Sequence, residues 1–502
     1  MSWNQFWFAK DTFGHPRLES EPLQLNSKWQ IVPWSVTFTD VMKLETIDSF
    51  VLRAREILGS DRVLSGDEVS EDYSHDESLG LDWMAPQCVV FPQSAMECSE
   101  ILALANEMVI PVTARGSGSG LSGGAIANLG GVLISFEKMN SIVEIDTLNH
   151  TATLEAGVTL LELSQALAEV GFVYPVYPGE LSATIGGNVA TNAGGMRAVK
   201  YGVTRHNVLG IEFVLANGTI IQSGGKYVKS STGYDLTQLV IGSEGTLALV
   251  TKVIVSITPV AAASVTLLVP FDSVSTISKT IPEILRSNFT PSILEYVDGT
   301  GLTVMAAREG LNLGVPKSVL DEAKAYLICM LEESDQEALE RVQIRISMQL
   351  MESGAIDVYA LTISQSLQLL AAREAAFWVT KDLGATEMVD IVVPRSEVPA
   401  FMGDVGVISE RYSTLISAVG HAGDGNIHLS VFEKELKVRD QIMSDLYAAG
   451  VQLGGEISAE HGIGEAKKKY FIEHSDPEKV ALMREIKRVF DPNGILNQGK
   501  VF

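Results

Sequence analysis

Residues 111–124 read Pro-Val-Thr-Ala-Arg-Gly-Ser-Gly-Ser-Gly-Leu-Ser-Gly-Gly, a glycine-rich loop that follows a short apolar segment. Closely spaced glycines let consecutive backbone N–H groups point into one concavity, which suits a diphosphate. Ser117, Ser119 and Ser122 can add hydroxyl donors, and Arg115 either binds the ligand or anchors the loop through a carboxylate. The loop lacks the Gly-Lys-Ser/Thr ending of a P-loop, and no helix follows it at once as a dinucleotide-binding fingerprint requires. Taken alone, it is also compatible with a tight turn.

Two further clusters of small residues follow within the same region. Residues 184–195 read Thr-Ile-Gly-Gly-Asn-Val-Ala-Thr-Asn-Ala-Gly-Gly, a stretch that can lie flat against a planar ring. Residues 242–246 read Gly-Ser-Glu-Gly-Thr and precede an apolar run typical of a strand. Three such clusters in one region favour a nucleotide-binding site over ordinary turns between strands.

The segments around the clusters alternate between strand and helix patterns. A strand at 88–92, an amphipathic helix at 95–108 and a strand at 110–113 give the β-α-β order of a nucleotide-binding domain. The same patterns predict further strands at 131–135, 142–146, 151–155, 211–215 and 246–257, and helices at 47–58, 331–349 and 364–376.

Bulk composition narrows the classes of function. A length of 502 residues predicts two or three domains, and a formal net charge of −25 argues against a nucleic-acid partner. The three cysteines, Cys88, Cys98 and Cys329, form no Cys-x-x-Cys pair, which excludes a cysteine-ligated iron–sulfur cluster in this chain and fits a reducing compartment. No apolar run reaches the roughly 18 residues of a membrane span, and no secretory signal is evident, so we expect a cytoplasmic protein that is not integral to a membrane.

A second chemical region lies near the C-terminus. Residues 420–428 (Gly-His-Ala-Gly-Asp-Gly-Asn-Ile-His) and 456–464 (Glu-Ile-Ser-Ala-Glu-His-Gly-Ile-Gly) hold three of the eight histidines. The turn residues between His421 and His428 let the two imidazoles converge across a bend. A carboxylate from Glu460 would complete a His2Glu set, which suits zinc and leaves a position open for substrate. On spacing alone, a purely structural role stays open.

The segments at 111–124, 178–202 and 242–259 resemble the PCMH-type FAD-binding domain of the vanillyl-alcohol oxidase superfamily. From about Leu58 onward, the chain is similar to the group that contains D-lactate dehydrogenase, the glycolate oxidase flavoprotein subunit and D-2-hydroxyglutarate dehydrogenase. The resemblance implies an α+β fold in which a two-subdomain FAD-binding domain precedes an α/β cap domain and a C-terminal segment that returns to the flavin. We expect an N-terminal extension at 1–43 (disordered or outside the native protein), the FAD-binding domain at 44–260, the cap at 261–418 and the metal and catalytic segment at 419–502.

The resemblance also assigns roles to individual residues. It implies that His421, His428 and Glu460 bind a divalent metal, with zinc favoured, and that the adjacent His461 is the catalytic base. Arg373 is expected to bind the substrate carboxylate, although a surface helix pairing with Glu374 is an alternative. Asp424 and Asn426 are expected to orient the ligands. The expected FAD contacts are Arg115, Gly116, Ser117, Gly118, Ser119, Gly120, Leu121, Ser122, Gly123, Pro178, Gly179, Thr184, Gly186, Gly187, Asn188, Thr191, Asn192, Gly194, Gly195, Tyr201, Gly202, Glu244, Gly245 and Asn497.

The first loop contains no histidine at residues 115–124, so the resemblance implies that FAD is bound non-covalently. The implied reaction is oxidation of a small D-2-hydroxy acid, D-lactate or glycolate first, to the 2-oxo acid, with hydride transfer to flavin N5. Relatives that oxidise hydroxyglutarate carry a lysine shortly before the position matched by Asp390. Here residues 387–390 read Glu-Met-Val-Asp, which disfavours a dicarboxylate and points to lactate, glycolate or a longer apolar 2-hydroxy acid.

The expected electron acceptor is a separate electron-transfer flavoprotein, an iron–sulfur subunit, a quinone or oxygen. A homodimer and peripheral attachment to a membrane through a partner are kept as options. Three alternatives remain for the function: D-2-hydroxyglutarate dehydrogenase, a non-catalytic flavoprotein subunit and a metal-dependent hydrolase. The glycine clusters disfavour the hydrolase, and the intact Glu460-His461 pair disfavours the non-catalytic subunit.

Overall fold

A computed structural model describes residues 44–502, which contain three main β-sheets with helices packed against them. The mixed helix and sheet architecture confirms the predicted fold class. The predicted N-terminal extension at 1–43 lies outside the described residues. Within residues 44–502, no helix is both long and apolar enough to cross a membrane.

The first sheet has the strand order β1-β2-β4-β3. Its strands are β1 (Val63–Ser65), β2 (Cys88–Val90), β3 (Val112–Arg115) and β4 (Val132–Ser135). Strands β2, β4 and β3 are parallel, and β1 pairs antiparallel with β2. The predicted β-α-β unit is confirmed, because the helix between β2 and β3 spans Ala95–Met108 and buries its apolar stripe. Ser94 begins this helix by accepting a hydrogen bond from the Glu97 N–H at 3.2 Å.

The next six strands are β5 (Ile142–Asp146), β6 (Thr151–Glu155), β7 (Phe172–Val173), β8 (Val208–Val214), β9 (Ile220–Gly224) and β10 (Leu249–Ser256). All except β7 form a five-stranded sheet in the order β5-β6-β10-β8-β9. The predictions for β5 and β6 are confirmed to the residue. Strand β10 starts three residues later than predicted, since residues 246–248 still belong to the turn around Gly245, whose φ is +70°. A two-residue strand, β11 (Thr258–Pro259), pairs with β7.

The third sheet has seven strands in the order β15-β12-β14-β13-β17-β18-β16. They are β12 (Ala263–Phe271), β13 (Ile293–Asp298), β14 (Ala325–Glu333), β15 (Tyr359–Ala360), β16 (Glu387–Val392), β17 (Ile416–His421) and β18 (Asn426–Val431). Strand β17 runs through residues 418 and 419, where the sequence predicts a boundary between cap and C-terminal segment. The first histidine segment is therefore built into the sheet of the cap.

The helices pack on these sheets. In chain order they are α1 (Leu44–Leu58), α2 (Ala95–Met108), α3 (Leu160–Glu169), α4 (Ile185–Thr191), α5 (Ala198–Tyr201), α6 (Thr204–Asn207), α7 (Leu236–Val240), α8 (Val274–Leu285), α9 (Gly299–Glu309), α10 (Lys317–Glu322), α11 (Gln336–Glu352), α12 (Ile363–Glu374), α13 (Ala376–Asp382), α14 (Val398–Tyr412), α15 (Leu436–Gln452), α16 (Lys468–His474) and α17 (Pro477–Phe490). Helices cover both faces of the seven-stranded sheet. One face forms an apolar core with α8, α11, α14 and α15. The opposite face forms a second apolar core with α9, α12 and α13.

One helix prediction is wrong in its first turn. Residues 331–333 end β14, and α11 begins only at Gln336. The reason is local, because Asp335 caps the helix by accepting a hydrogen bond from the Ala338 N–H at 2.8 Å. The apolar residues before Asp335 fit a buried strand as well as a helix, and their periodicity cannot distinguish these two kinds of secondary structure.

The last residues of the chain return to the first sheet, as the resemblance implies. Strand β3 receives them in parallel: the Val112 N–H donates to the Ile495 carbonyl at 2.8 Å, and the Asn497 N–H donates to the Val112 carbonyl at 2.7 Å. Asp491, which is 1% exposed, fixes the bend before this segment. Its carboxylate accepts the N–H of Ile495 at 3.0 Å and of Leu496 at 2.7 Å.

We predict that Asp491→Ala lowers the free energy of unfolding by about 3 kcal/mol, because two backbone donors and the Lys487 ammonium lose a buried charged partner. Urea or thermal unfolding measures the change. The control Asp404→Ala, on the exposed side of α14, should shift it by less than about 0.5 kcal/mol. Equal effects of the two substitutions would contradict the role of Asp491.

Candidate active site

The three glycine clusters line one cleft of about 220 Å³, with a smaller recess of about 70 Å³ beside it. Most of the predicted FAD contacts lie on these walls: Gly116, Ser117, Gly118, Ser119, Gly120, Leu121, Ser122, Pro178, Thr184, Gly187, Asn188, Thr191, Gly194, Glu244, Gly245 and Asn497 line the cleft, and Arg115 and Gly186 line the recess. Gly179 and Gly195 line a neighbouring cavity instead. Most of the residues predicted from the sequence to contact FAD therefore line the cleft and its recess.

The cleft is built for a ligand with polar edges. Two buried side-chain atoms on its walls, the amide nitrogen of Asn188 and the amide oxygen of Asn497, have no hydrogen-bond partner among residues 44–502. A buried polar group without a partner is costly, so a ligand that supplies one is favoured. In the neighbouring cavity, Gly195 adopts φ +122°, and a Cβ there would collide with the Tyr177 carbonyl, so only glycine fits that position.

Arg115 anchors the loop, but through a carbonyl and not through a carboxylate. Its guanidinium donates to the His75 carbonyl at 2.5 Å and lies 5.8 Å from the ring centre of Tyr73. The side chain is buried beneath the loop, where a Cβ at Gly118 would collide with it. Of the two roles that the sequence left open, the geometry favours the anchor.

Four predicted contacts do not reach the cleft. Asn192 ends α4 in the left-handed region, and its amide oxygen accepts the Arg205 N–H at 2.9 Å. Tyr201 donates to Glu332 at 2.9 Å, and a Cβ at Gly202 would meet the ring of His206. Gly123 faces Leu81. These residues shape the segments that carry the cleft without lining it.

The cleft also has walls that sequence reasoning missed. Small residues dominate them: Ala114, Gly124, Ala125, Ala183, Ala190 and Ala193. Glu180 and Asp76 are the exceptions on the described walls, and Asp76 is a buried carboxylate that accepts the Ser78 hydroxyl at 2.6 Å. Burial raises its pKa above the ordinary value. The alanines carry no chemical signal of their own, and Asp76 lies in a segment without a motif.

The histidine segments converge as predicted. Strands β17 and β18 form a hairpin that places His421 and His428 side by side, with their Nε2 atoms 3.3 Å apart. The Oε1 atom of Glu460 lies 3.1 Å from the first Nε2 and 3.2 Å from the second. Three lone-pair donors thus face one point. Ligand atoms at 2.0–2.1 Å from a tetrahedral ion lie about 3.3 Å apart, so these spacings match a zinc site.

A buried ion pair supports this cluster from behind. His421 Nδ1 lies 2.6 Å from Glu295 Oε1, which orients the ring so that Nε2 faces the cluster. The other oxygen of Glu295 is 2.7 Å from the guanidinium of Arg373. Glu295 has no exposed surface, and the sequence analysis overlooked it. The sequence feature that indicates a role for Glu295 is a charged residue inside an apolar strand, Ile-Leu-Glu-Tyr-Val, because a buried charge needs a buried partner.

Asp390, also fully buried on a strand, holds the loop that carries Glu460 and His461. One carboxylate oxygen accepts four hydrogen bonds, from the Ser458 hydroxyl at 2.7 Å and from the backbone N–H groups of residues 459, 460 and 461 at 3.0, 3.0 and 2.8 Å. The other accepts the Asn426 amide at 2.8 Å. Asn426 thus supports the site through Asp390.

A buried cation and backbone donors stabilise the charge of Asp390. Burial disfavours the ionised form, but the Lys467 ammonium and the backbone N–H of residue 461 favour it, and the pKa of Asp390 lies well below its ordinary value. The ammonium of Lys467 is buried and lies 3.7 Å from the carboxylate. Removing the charge of Asp390 would leave this ammonium without a close counter-charge.

The same loop is held from the FAD-binding side. Glu244, which lines the cleft, accepts the Ile463 N–H at 2.8 Å and the Gly464 N–H at 2.7 Å. The Ser122 hydroxyl lies 3.1 Å from the His461 carbonyl and 3.0 Å from the Gly462 carbonyl. The loop is therefore fixed between the glycine-rich cleft and the sheet of the cap.

His461 lies between the cleft and the metal-type cluster. Its ring stacks on His428 with centres 4.9 Å apart, and within the described part of the chain its Nδ1 has no hydrogen-bond partner. Burial lowers the pKa of His461 to about 4, so the imidazole is neutral at physiological pH. A neutral imidazole with an unpaired nitrogen is able to accept a proton.

A second cavity of about 130 Å³ adjoins the cleft and contains the reacting groups. Glu460 and His461 line both spaces. The second cavity is completed by Arg373, His421 and His428 and by apolar side chains that include Met196, Phe377, Trp378 and Met388. One terminal nitrogen of Arg373, Nη2, lies 2.7 Å from Glu295. Arg373 therefore lies in the site and not on a surface helix, and its guanidinium places a positive charge on the cavity wall.

Two family models match the chain. Residues 86–224 match an FAD binding domain, and residues 260–501 match the C-terminal domain of FAD linked oxidases. An uncharacterised FAD-linked oxidoreductase of Mycobacterium tuberculosis is 47% identical over 90% of this chain and 98% of that protein. The D-lactate dehydrogenase of Anaerostipes hadrus is 37% identical over 88% of this chain and 94% of that protein. A glycolate oxidase subunit of Bacillus subtilis is 36% identical over 86% of this chain and 92% of that subunit.

Solved structures share the fold. The chain superimposes on p-cresol methylhydroxylase with a TM-score of 0.76 and 18% identity, covering 92% of this chain and 98% of that one. At this identity the likeness shows the architecture, which is that of the PCMH-type flavoproteins. The family matches confirm the resemblance drawn from the glycine clusters.

We predict that Asp390→Asn lowers the free energy of unfolding by about 3 kcal/mol, because a neutral amide leaves Lys467 without its counter-charge and four donors without a carboxylate oxygen. Chemical unfolding of the FAD-loaded protein measures the change. Asp67→Asn, at an exposed position, is the matched control. If both variants unfold alike, Asp390 does not hold the loop.

Proposed function

The chain belongs to the FAD-linked oxidase family, and from that premise we propose that it oxidises a small D-2-hydroxy acid to the 2-oxo acid, with non-covalently bound FAD and a divalent metal. The observation that carries the proposal is the second cavity. There a His2Glu cluster, a neutral imidazole and an arginine meet within one space that shares walls with the glycine-rich cleft. FAD bound in the cleft supplies the acceptor for the hydride that leaves C2 of the substrate.

The proposed metal ligands are His421, His428 and Glu460, and zinc fits their spacing. In the neutral tautomer that Glu295 selects, His421 presents a lone pair to the cluster. A divalent ion held there would polarise the substrate hydroxyl and lower its pKa. Asp390, His428 and His461 form a second group of close donors, but Asp390 already accepts five hydrogen bonds, which disfavours it as a ligand.

The chain's own groups bind the acid and move its proton. Arg373 binds the substrate carboxylate through its guanidinium, which lines the cavity while its Nη2 faces Glu295. His461 accepts the hydroxyl proton at an imidazole nitrogen, so the alcohol loses one proton and one hydride and becomes the ketone. Apolar side chains such as Phe377 and Met388 exclude water from the reacting centre.

The cavity favours a monocarboxylate. Arg373 is the only lysine or arginine on its described walls, and position 388, near the lysine of hydroxyglutarate-oxidising relatives, holds Met388. A second carboxylate would have no cation to meet. D-lactate and glycolate are therefore the proposed substrates. Because the chain has no Cys-x-x-Cys pair for a cluster, a separate protein or quinone is the proposed electron acceptor.

A panel of D- and L-2-hydroxy acids with a dye acceptor tests the proposal. We expect D-lactate or glycolate to reduce the dye, D-2-hydroxyglutarate to react at least about 10²-fold less efficiently for want of a second cation, and chelation of the metal to abolish turnover until zinc is restored. Metal content is measured in parallel. Full activity after complete metal removal would contradict the ligand assignment.

We expect His461→Ala to retain FAD and to reduce the rate of flavin reduction by the hydroxy acid by about 10²–10⁴-fold, the range for loss of a general base. Anaerobic stopped-flow absorbance measures the rate, and the visible spectrum measures bound FAD. His474→Ala, on α16, should leave both unchanged. Unchanged flavin reduction in His461→Ala would rule out the base.

A further inference from the structure

A larger cavity, of about 520 Å³, lies where the FAD-binding half meets the cap. More than half of the residues on its walls are aliphatic, among them Val176 and Leu181 from the FAD-binding half, and Met330, Leu367 and Leu370 from the cap. Leu367 and Ile363, both on α12, are 64% and 81% exposed, so the cavity opens to solvent along this helix. The space is an apolar channel and not a closed void.

The inner end of this channel adjoins the second cavity of the active site. Tyr177 and Glu374 line both spaces. The tyrosine hydroxyl hydrogen-bonds the glutamate, and the guanidinium of Arg197 lies 5.9 Å from the tyrosine ring centre. Burial raises the pKa of the Glu374 carboxyl above its ordinary value. The channel therefore adjoins, at these two side chains, the cavity that contains Arg373 and the histidine cluster.

We propose that this channel receives the aliphatic chain of longer substrates, so that the enzyme oxidises 2-hydroxy acids with long apolar chains in addition to lactate and glycolate, and with a higher kcat/KM. This inference rests on the proposed function of the same site. The carboxylate and hydroxyl end binds at Arg373 and the histidine cluster, and C3 onward passes Tyr177 into the channel. The chemistry is unchanged: C2 loses its hydride to FAD, the hydroxyl loses its proton to His461, and the 2-oxo acid forms.

The walls favour a substrate chain over an apolar electron acceptor such as a quinone. An acceptor must approach the flavin, yet the channel shares no lining residue with the cleft of the three glycine clusters. Its shared residues lie only on the cavity of the reacting groups. That cavity measures about 130 Å³, which leaves the channel as the space for anything longer than a short acid.

The test is a chain-length series of D-2-hydroxy acids, from two to eight carbons, assayed with the FAD-loaded protein and a dye acceptor. In the wild type we expect kcat/KM to rise about threefold for each methylene that enters the channel. Leu370→Trp fills the channel and should lower kcat/KM for the eight-carbon acid about tenfold while lactate changes less than about twofold. Leu482→Trp, at an exposed position on α17, is the matched control.

The outcomes separate the two proposals. Turnover of lactate and glycolate without a gain for longer chains, or an equal loss for all acids in Leu370→Trp, overturns the channel and leaves the proposed function standing. If no 2-hydroxy acid reduces the flavin, the proposed function itself is contradicted. Should Leu370→Trp lose FAD, Leu367→Trp at the solvent end applies the same test without altering the inner wall.

Discussion

The carboxylate of Asp390 is the contact on which the site depends. It has no exposed surface and accepts four hydrogen bonds at one oxygen from the loop of Glu460 and His461. Those donors are mostly backbone N–H groups, which would otherwise be buried without partners. Since the same carboxylate also faces His428, one side chain sets the positions of His428 and of the loop that carries Glu460 and His461.

The loop has a second set of contacts on the opposite side. Glu244 and Ser122, both on the glycine-rich cleft, bind its backbone. A loop fixed from both sides keeps His461 at the border between the cleft and the cavity of the reacting groups. Hydride transfer needs substrate and flavin at van der Waals distance. A loop that is rigidly held between the two spaces keeps their binding sites at a fixed separation.

The site contains several buried charged side chains, whose loss of solvation costs free energy and whose pairing fixes their positions. Glu295, Arg373, Asp390 and Lys467 are each at most 7% exposed, and each would be expensive to bury alone. They occur as neighbours of opposite sign, with Glu295 against Arg373 and Asp390 near Lys467. Pairing offsets the loss of solvation, and the low surrounding polarity strengthens every interaction with a bound acid.

The sequence by itself determined the features whose signal is local. The glycine clusters, helix α2, strands β5 and β6, and the convergence of His421 with His428 follow from neighbouring residues, because turn chemistry and periodicity act over a few positions. The family resemblance added the expected roles of His461 and Arg373. Only the tertiary structure decided the contacts of Glu295, of Asp390 and of Glu244, and it placed Tyr201 and Gly202 away from the cleft. Asp390 binds a loop 71 residues away and Glu244 one 220 residues away. A charged residue in an apolar strand shows that a partner must exist, but which partner is fixed only when the sheets pack.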